Sequence, residues 1–139
     1  MKIFKLHLAL FATIGLLASS VGWAETKTPM SSKALKALIA GTVVHGTNTG
    51  GNKFIQVFGK DGSLQSGYSN NRNSDNKWIA REVGTWKVSK GRLCNSYTKP
   101  KKRSGGCDRF YKTSKGRYVY ETKSGKWGSF DEIKKGNAP

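Results

Sequence analysis

A predicted β-hairpin over residues 84–94 constrains the fold more than any other part of the chain. Trp86 lies in an alternating apolar and polar pattern, and Gly91 can adopt the positive φ that a tight turn requires. The hairpin ends at Cys94, whose only possible disulfide partner is Cys107. One disulfide would tie the second strand of the hairpin to the next strand, and a free or metal-binding pair of cysteines is the alternative.

Short apolar segments and turn signals repeat along the chain from residue 42 onward. An Asp-Gly pair at 61–62 and two copies of Ser-Lys-Gly-Arg, at 89–92 and 114–117, mark turns between strands. About eight short strands fit this pattern, over residues 42–46, 53–59, 64–69, 82–88, 92–98, 107–113, 118–123 and 127–133. The pattern predicts an antiparallel meander, closed into a small barrel or folded as a sandwich.

One helix and two long loops accompany the strands. Residues 30–41 predict a helix because their apolar side chains fall on one stripe and Gly41 stands where a helix usually ends. Residues 70–77 form a polar surface loop, and residues 99–106 form a basic loop whose base the disulfide would hold. The predicted fold class is therefore mainly β: a single small antiparallel barrel or meander of about eight strands, with one amino-terminal helix and one disulfide.

The first 24 residues have the plan of a secretory signal peptide. A short basic start precedes an apolar run over residues 6–18, and small residues precede a predicted cut after Ala24. The apolar run is too short for an ordinary membrane span, although an uncleaved anchor is the alternative. We therefore expect a periplasmic or secreted protein without a transmembrane span in the mature chain. The predicted organisation is a signal peptide (1–24), a flexible tail (25–30), the β-barrel domain (31–135) and a second tail (136–139).

The mature chain that this cut would produce is strongly basic. It loses Lys2 and Lys5 and keeps 23 basic residues against 8 acidic ones, a net charge of +15. Such a charge attracts polyanions, so nucleic acid, lipopolysaccharide, acidic polysaccharide and an acidic envelope protein are candidate partners. The excess of lysine over arginine favours non-specific attraction over a tailored anion site. The alternative is that the charge only keeps the protein soluble.

The candidate anion-binding residues lie in and after the basic loop. They are Lys99, Lys101, Lys102, Arg103, Arg109 and Lys112. Phosphate contacts from such side chains would be sensitive to salt and indifferent to sequence. Tyrosines alternate with these basic residues and would offer a stacking surface if exposed, although tyrosine in a small β-protein usually belongs to the core. These tyrosines are Tyr97, Tyr111, Tyr118 and Tyr120.

No catalytic constellation, metal site or cofactor is predicted. A small secreted nuclease would need His45, the only histidine after the predicted cut, together with Glu82 or Glu121, and nothing in their spacing brings them together. A carrier of a small apolar ligand inside the barrel is another alternative. Residues 54–58 have apolar side chains on both faces, so we expect one face to line the interior and the other to meet the helix. The leading hypothesis is an exported, non-enzymatic barrel that binds an anionic partner.

Several motifs follow one another in a fixed order along the chain. They are Gly84-x-Trp86-x-Val88, Gly91-Arg92-Leu93-Cys94, Cys107, Gly116 with Tyr118, and Gly125-x-Trp127. Their order and spacing resemble a family of small secreted bacterial proteins, common in proteobacteria and catalogued as a domain of unknown function. The resemblance covers roughly residues 35–131. It implies a secreted, lipocalin-like small β-barrel with one disulfide, and it implies no activity. The positive charge is not part of the family pattern, so anion binding would be specific to this chain.

Overall fold

Alternating side chains and closely spaced turns produce nine strands and one helix in the computed structural model, which describes residues 24–136. The predicted signal peptide, apart from Ala24, and residues 137–139 of the predicted tail lie outside the described residues, as does the side chain of Arg103. The elements are β1 (Lys27–Pro29), α1 (Ser32–Ile39), β2 (Thr42–Thr47), β3 (Lys53–Phe58), β4 (Ser63–Tyr68), β5 (Glu82–Ser89), β6 (Arg92–Lys99), β7 (Arg103–Thr113), β8 (Tyr118–Glu121) and β9 (Trp127–Lys135).

Strands β2 to β9 form a closed antiparallel barrel. Each strand pairs with the next one along the chain, and β9 pairs back with β2, where Val44 lies opposite Ile133. Closure satisfies the backbone hydrogen bonds that the two edges of an open sheet would leave unpaired. The predicted fold class is therefore confirmed, with the barrel as the correct alternative to a sandwich.

The two Ser-Lys-Gly-Arg segments form different turns although their sequences are identical. In the first, Lys90 (φ 51°) and Gly91 (φ 70°) both adopt positive φ, as a two-residue type I′ hairpin requires. In the second, only Gly116 (φ 76°) does so, and its N–H donates to the Thr113 carbonyl at 2.9 Å. The flanking strand register, and not the tetrapeptide, therefore decides the turn type.

Aromatic side chains fill much of the barrel core. The rings of Phe110 and Phe130 have centroids 4.8 Å apart, and Phe58 meets Trp86 edge to face at 5.7 Å. The indole N–H of Trp86 donates to the Gly59 carbonyl at 2.9 Å, so the polar atom of this buried side chain is paired. Trp86 is thus the core anchor that the hairpin pattern predicted.

Helix α1 closes the end of the barrel at which the β3–β4, β5–β6 and β7–β8 turns lie; we call it the closed end. Ser31 caps the helix by accepting the Ala34 N–H at 3.2 Å, and Leu35 and Ile39 are fully buried against the barrel core. Ser32 Oγ also accepts the N–H of Gly91 at 2.8 Å. The opposite end, where the β4–β5 and β6–β7 loops lie, is the mouth. No helix within residues 24–136 has the length and apolarity needed to cross a bilayer.

The segment 25–30, predicted to be a flexible tail, is partly a strand. β1 pairs with residues 111–113 of β7, and the Lys27 ammonium lies 4.4 Å from the Trp127 ring centroid. The Glu25 carboxylate also pairs with the guanidinium of Arg117. The sequence gives no sign of this strand because residues 27–29 have no apolar alternation; they pair through the backbone with a strand that is distant in sequence.

The sequence predicted that the outward face of β3 would meet the helix. It packs instead against other residues. Ile55 is buried in a second apolar cluster with Val43 and Trp78, and Val57 packs against it. Trp78 belongs to the long β4–β5 loop, and its indole N–H donates to the Tyr68 carbonyl at 3.0 Å. The apolar residues that follow the polar stretch 70–77 therefore fold back over the outer wall of the barrel.

Candidate functional site

The basic loop is shorter than predicted and lies at the mouth. Strand β6 ends at Lys99 and β7 begins at Arg103, because Ser104 pairs with Ser96 and Gly106 with Asn95 across the ladder. A bulge in β7, with Gly106 at φ 92°, accommodates the extra residue. The glycine-rich segment therefore belongs to a strand, and only residues 100–102 form the turn.

The Cys94–Cys107 disulfide is present, as predicted, but it does not hold the base of the basic loop. The two cysteines are direct cross-strand neighbours on β6 and β7, with Cα atoms 4.0 Å apart. Lys99 is five residues further along β6, which corresponds to about 16 Å of strand. The disulfide braces the barrel wall, and the ladder between the ends of β6 and β7 positions the loop.

The predicted anion-binding residues do not form one site. Lys99, Lys101 and Lys102 lie together at the mouth, and all three are exposed; we call them the mouth lysines. Arg109 is exposed on the wall, opposite Arg92 in register, whereas the ammonium of Lys112 lies near the closed end, 5.9 Å from the Tyr118 ring centroid. Arg103 begins β7 next to the mouth lysines.

The four tyrosines do not share an exposed surface. Tyr97 and Tyr120 are buried in the barrel core. Tyr111 lies against the Trp127 ring, with centroids 5.3 Å apart, and donates its hydroxyl hydrogen to Glu121 at 3.0 Å. The stacking surface considered from the sequence is therefore absent from the described part of the chain.

The barrel interior contains a cavity of about 470 Å³ that opens at the mouth. Leu93 and Phe110 lie at its floor, and Phe54, Tyr120 and Phe130 line one side. Polar side chains on four strands line much of the rest of the wall, and Pro100 of the basic loop lies on the rim. We call the four polar side chains of this wall the polar ring: Gln56, Ser66, Asn95 and Asp108.

Burial alters the proton affinities of two groups at the cavity. It raises the pKa of the Asp108 carboxyl to about 6, although the nearby Arg92 guanidinium acts in the opposite direction. It also raises the pKa of Tyr120 to about 12, with smaller contributions from Asp108 and Tyr97. The side-chain oxygen of Asn95 is buried and accepts no hydrogen bond from any described residue.

His45 is not brought together with either carboxylate that was considered as its partner. It lies on β2, opposite Ile55 on β3 and Glu132 on β9. Glu82 lies on β5 and lines the cavity, and Glu121 lies on β8. Neither β5 nor β8 is a neighbour of β2 in the barrel, so the strand order places the three residues on separate parts of the wall.

Charges are unevenly distributed between the exterior and the cavity. On the exterior, Lys53 pairs with Asp131 at 2.8 Å and Lys134 with Glu132 at 2.9 Å, so these carboxylates are already neutralised. Glu82 and Asp108 line the cavity instead. Among residues 24–136 with described side chains, no ion pair includes a mouth lysine. The mouth lysines are therefore exposed cations that form no ion pair with a described acidic side chain.

Comparison of the chain with protein-family models, with curated proteins and with solved structures finds no match. Its function has to be argued from the geometry of the mouth and the cavity.

The sequence predicted the mouth lysines as candidate site residues but did not predict the polar ring. A signal for the ring was available, because Gln56 stands between Phe54 and Phe58 in the period of two that marks inward positions.

Proposed function

We propose that this protein is an exported, non-enzymatic small β-barrel that binds an anionic partner electrostatically, either a polyanion or the anionic surface of the cell envelope. The observation that carries the proposal is the exposure of the mouth lysines, none of which forms an ion pair among the described side chains, on a chain whose acidic residues are few. A surface with this imbalance produces a positive potential that attracts polyanions and accelerates their encounter with the protein.

The chemistry of lysine determines which partners suit this surface. Each ammonium is a compact, hydrated point charge that contacts phosphate or carboxylate without demanding a particular orientation. Lipopolysaccharide, acidic polysaccharide, nucleic acid and an acidic envelope protein all carry such groups at high density. Binding would therefore depend on charge density more than on sequence or stereochemistry, and it would weaken as salt screens the charges.

The proposed export rests on two features. Residues 1–24 have the composition of a secretory signal peptide, and the barrel wall contains a disulfide between Cys94 and Cys107. Disulfides form and persist in oxidising compartments such as the bacterial periplasm, and they are rare in the cytosol. Envelope polymers are the anions that a protein in such a compartment would meet first.

Retention on immobilised heparin tests the proposal, with the mature chain from residue 25. We expect retention at low salt and elution at higher salt. A variant with Lys99→Gln, Lys101→Gln and Lys102→Gln should elute at lower salt than a control with Lys33→Gln, Lys36→Gln and Lys115→Gln. The control removes the same charge from exposed positions at the closed end. Absence of retention at low salt would refute anion binding, and equal shifts for the two variants would refute a role specific to the mouth.

A further inference from the structure

Four strands each place one polar side chain among the inward residues that line the cavity. On β3 and β4, Phe58 and Leu64 belong to the interior core, whereas Gln56 and Ser66, each two residues nearer the mouth, line the cavity. Gln56 and Ser66 are also direct cross-strand partners. Phe54 lies two residues nearer the mouth than Gln56, so the polar position on β3 stands between two aromatic ones.

Strands β6 and β7 also carry one such polar residue each, and on β6 it lies between Leu93 and Tyr97 of the core. Leu93 and Phe110 are core residues, and Asn95 and Asp108 follow two residues nearer the mouth. Leu93 and Asp108 are register partners, so Asn95 and Asp108 are diagonal neighbours, on the order of 7 Å apart. An interior that only needed filling would have apolar residues at these positions too, because a buried polar group is costly unless it is paired.

The polar ring has hydrogen-bonding capacity that the protein leaves partly unused. The Asn95 side-chain oxygen is a buried acceptor without a described donor. The Gln56 amide lies 3.4 Å from Ser66 Oγ and 3.5 Å from the Tyr97 hydroxyl, at the long limit for hydrogen bonds. The ring thus offers both acceptors and donors, and a ligand that carries hydroxyl or amide groups would complete them.

The charged groups at the cavity favour an uncharged ligand. Arg81, Glu82 and Asp108 line it, so neither sign of charge dominates the wall. A charged ligand would meet wall charges of its own sign as well as of the opposite sign, so the net attraction would not offset the hydration that it loses on entry. The positive exterior would also repel a small cation as it approached the mouth.

The size and the aromatic side of the cavity complete the description of the ligand. A volume of about 470 Å³ is in the ordinary range of small-molecule sites. Phe54, Tyr120 and Phe130 line one side with apolar ring surface, and the polar ring lines much of the remaining wall. We infer that the cavity is a binding site for a small uncharged saccharide, whose hydroxyl groups meet the polar ring while its C–H face lies against the aromatic side. This site is independent of the proposed anion binding at the mouth.

A titration monitored by amide chemical shifts tests the inference, with N-acetylglucosamine and lactose as saccharide probes and dodecanol as an uncharged apolar probe. We expect saturable shifts from a saccharide probe in residues of the polar ring. The variant Asn95→Leu removes the unpaired acceptor and fills the cavity, so the dissociation constant should rise by about ten-fold or more. The control Ser96→Leu changes the next residue on β6, which is exposed, and should bind as the wild type does.

Three results would overturn the inference. Interior shifts caused by dodecanol alone would indicate an apolar carrier. Saccharide shifts confined to exposed residues would place binding outside the cavity, and unchanged binding by Asn95→Leu would exclude the polar ring. If Asn95→Leu does not fold, Ser66→Val gives the same comparison with a smaller change in volume. Heparin retention is measured separately, so failure of the saccharide site would leave the anion proposal standing.

Discussion

The ring of Tyr120 lies directly across Gly128, so that a Cβ added at position 128 would stand 2.2 Å from Tyr120 Cζ. The two residues are register partners on β8 and β9. The absence of a side chain at 128 lets the tyrosine ring lie over the neighbouring strand and stack on Phe110, with centroids 5.5 Å apart. The aromatic side of the cavity therefore depends on a glycine in the neighbouring strand, β9.

Gly128→Ala should destabilise the barrel. The added methyl group must displace the Tyr120 ring or the strand, and overpacking of this kind costs typically about 1–3 kcal/mol. Urea unfolding of the variant and the wild type measures the difference. Gly50→Ala is the matched control, because a Cβ there meets only two side-chain atoms at 3.4 and 3.5 Å. Equal stability of Gly128→Ala and the wild type would contradict the close contact.

Removal of the disulfide should destabilise the protein without changing its fold. Cys94 and Cys107 are separated by 13 positions, and opening a loop of this size costs ~3 kcal/mol through the entropy of the unfolded chain. The ladder between β6 and β7 remains in the double variant Cys94→Ser, Cys107→Ser, so its circular dichroism should match that of the wild type. Chemical denaturation of the variant and of the reduced wild type should give the same loss, and a loss below about 1 kcal/mol would contradict this role.

Asp108 should make the protein less stable as pH rises. Its pKa in the folded state is about 6, above the ordinary value of 3.8, so the folded protein binds more protons than the unfolded chain between these values. Stability is therefore lost as pH rises from about 4 through about 6, and the cost is fully present at higher pH. Asp108→Asn should remove this cost. The free energy of unfolding should then rise by an amount on the order of 1 kcal/mol at pH 7.5, after allowance for solvent screening at this half-buried side chain.

Thermal or urea unfolding of Asp108→Asn and the wild type at pH 4 and pH 7.5 measures this effect. The difference at pH 4 serves as the internal control, because the folded wild-type carboxyl is then almost fully protonated and no ionised carboxylate is buried. A stability difference that is the same at both pH values would show that burial of the ionised carboxylate is not its cause.

The sequence predicted those parts of the fold that local signals determine. The strands around Trp86 alternate clearly, and glycines mark the turns, so the barrel, the helix and the Cys94–Cys107 pair could be inferred. β1 and the first residues of β7 were missed. Residues 27–29 lack alternation, and Gly105-Gly106 looks like a loop because the bulge that places it within a strand is visible only in the register with β6.

The candidate sites were predictable to different degrees. The mouth lysines stand together in the sequence and lie together at the mouth. Arg109 and Lys112 lie further along β7, away from the mouth. The polar ring combines residues from β3, β4, β6 and β7, and alternation marks Gln56 as inward without showing that the four residues line one cavity. Depth within the barrel is a tertiary property, so the ring could not be assembled from one strand at a time.

The salt dependence of polyanion binding tests the central claim most directly. A fluorescein-labelled single-stranded DNA serves as the polyanion, and anisotropy gives the binding constant over a range of salt concentrations. We predict a steep linear fall of log Kobs with log salt. Replacement of Lys99, Lys101 and Lys102 by Gln should reduce the slope by about 2, because each lost phosphate contact contributes about 0.7 on a single strand. The closed-end control, Lys33, Lys36 and Lys115 replaced by Gln, should keep the wild-type slope. Binding that does not depend on salt, or the same slope in both variants, would contradict anion binding through the mouth of the barrel.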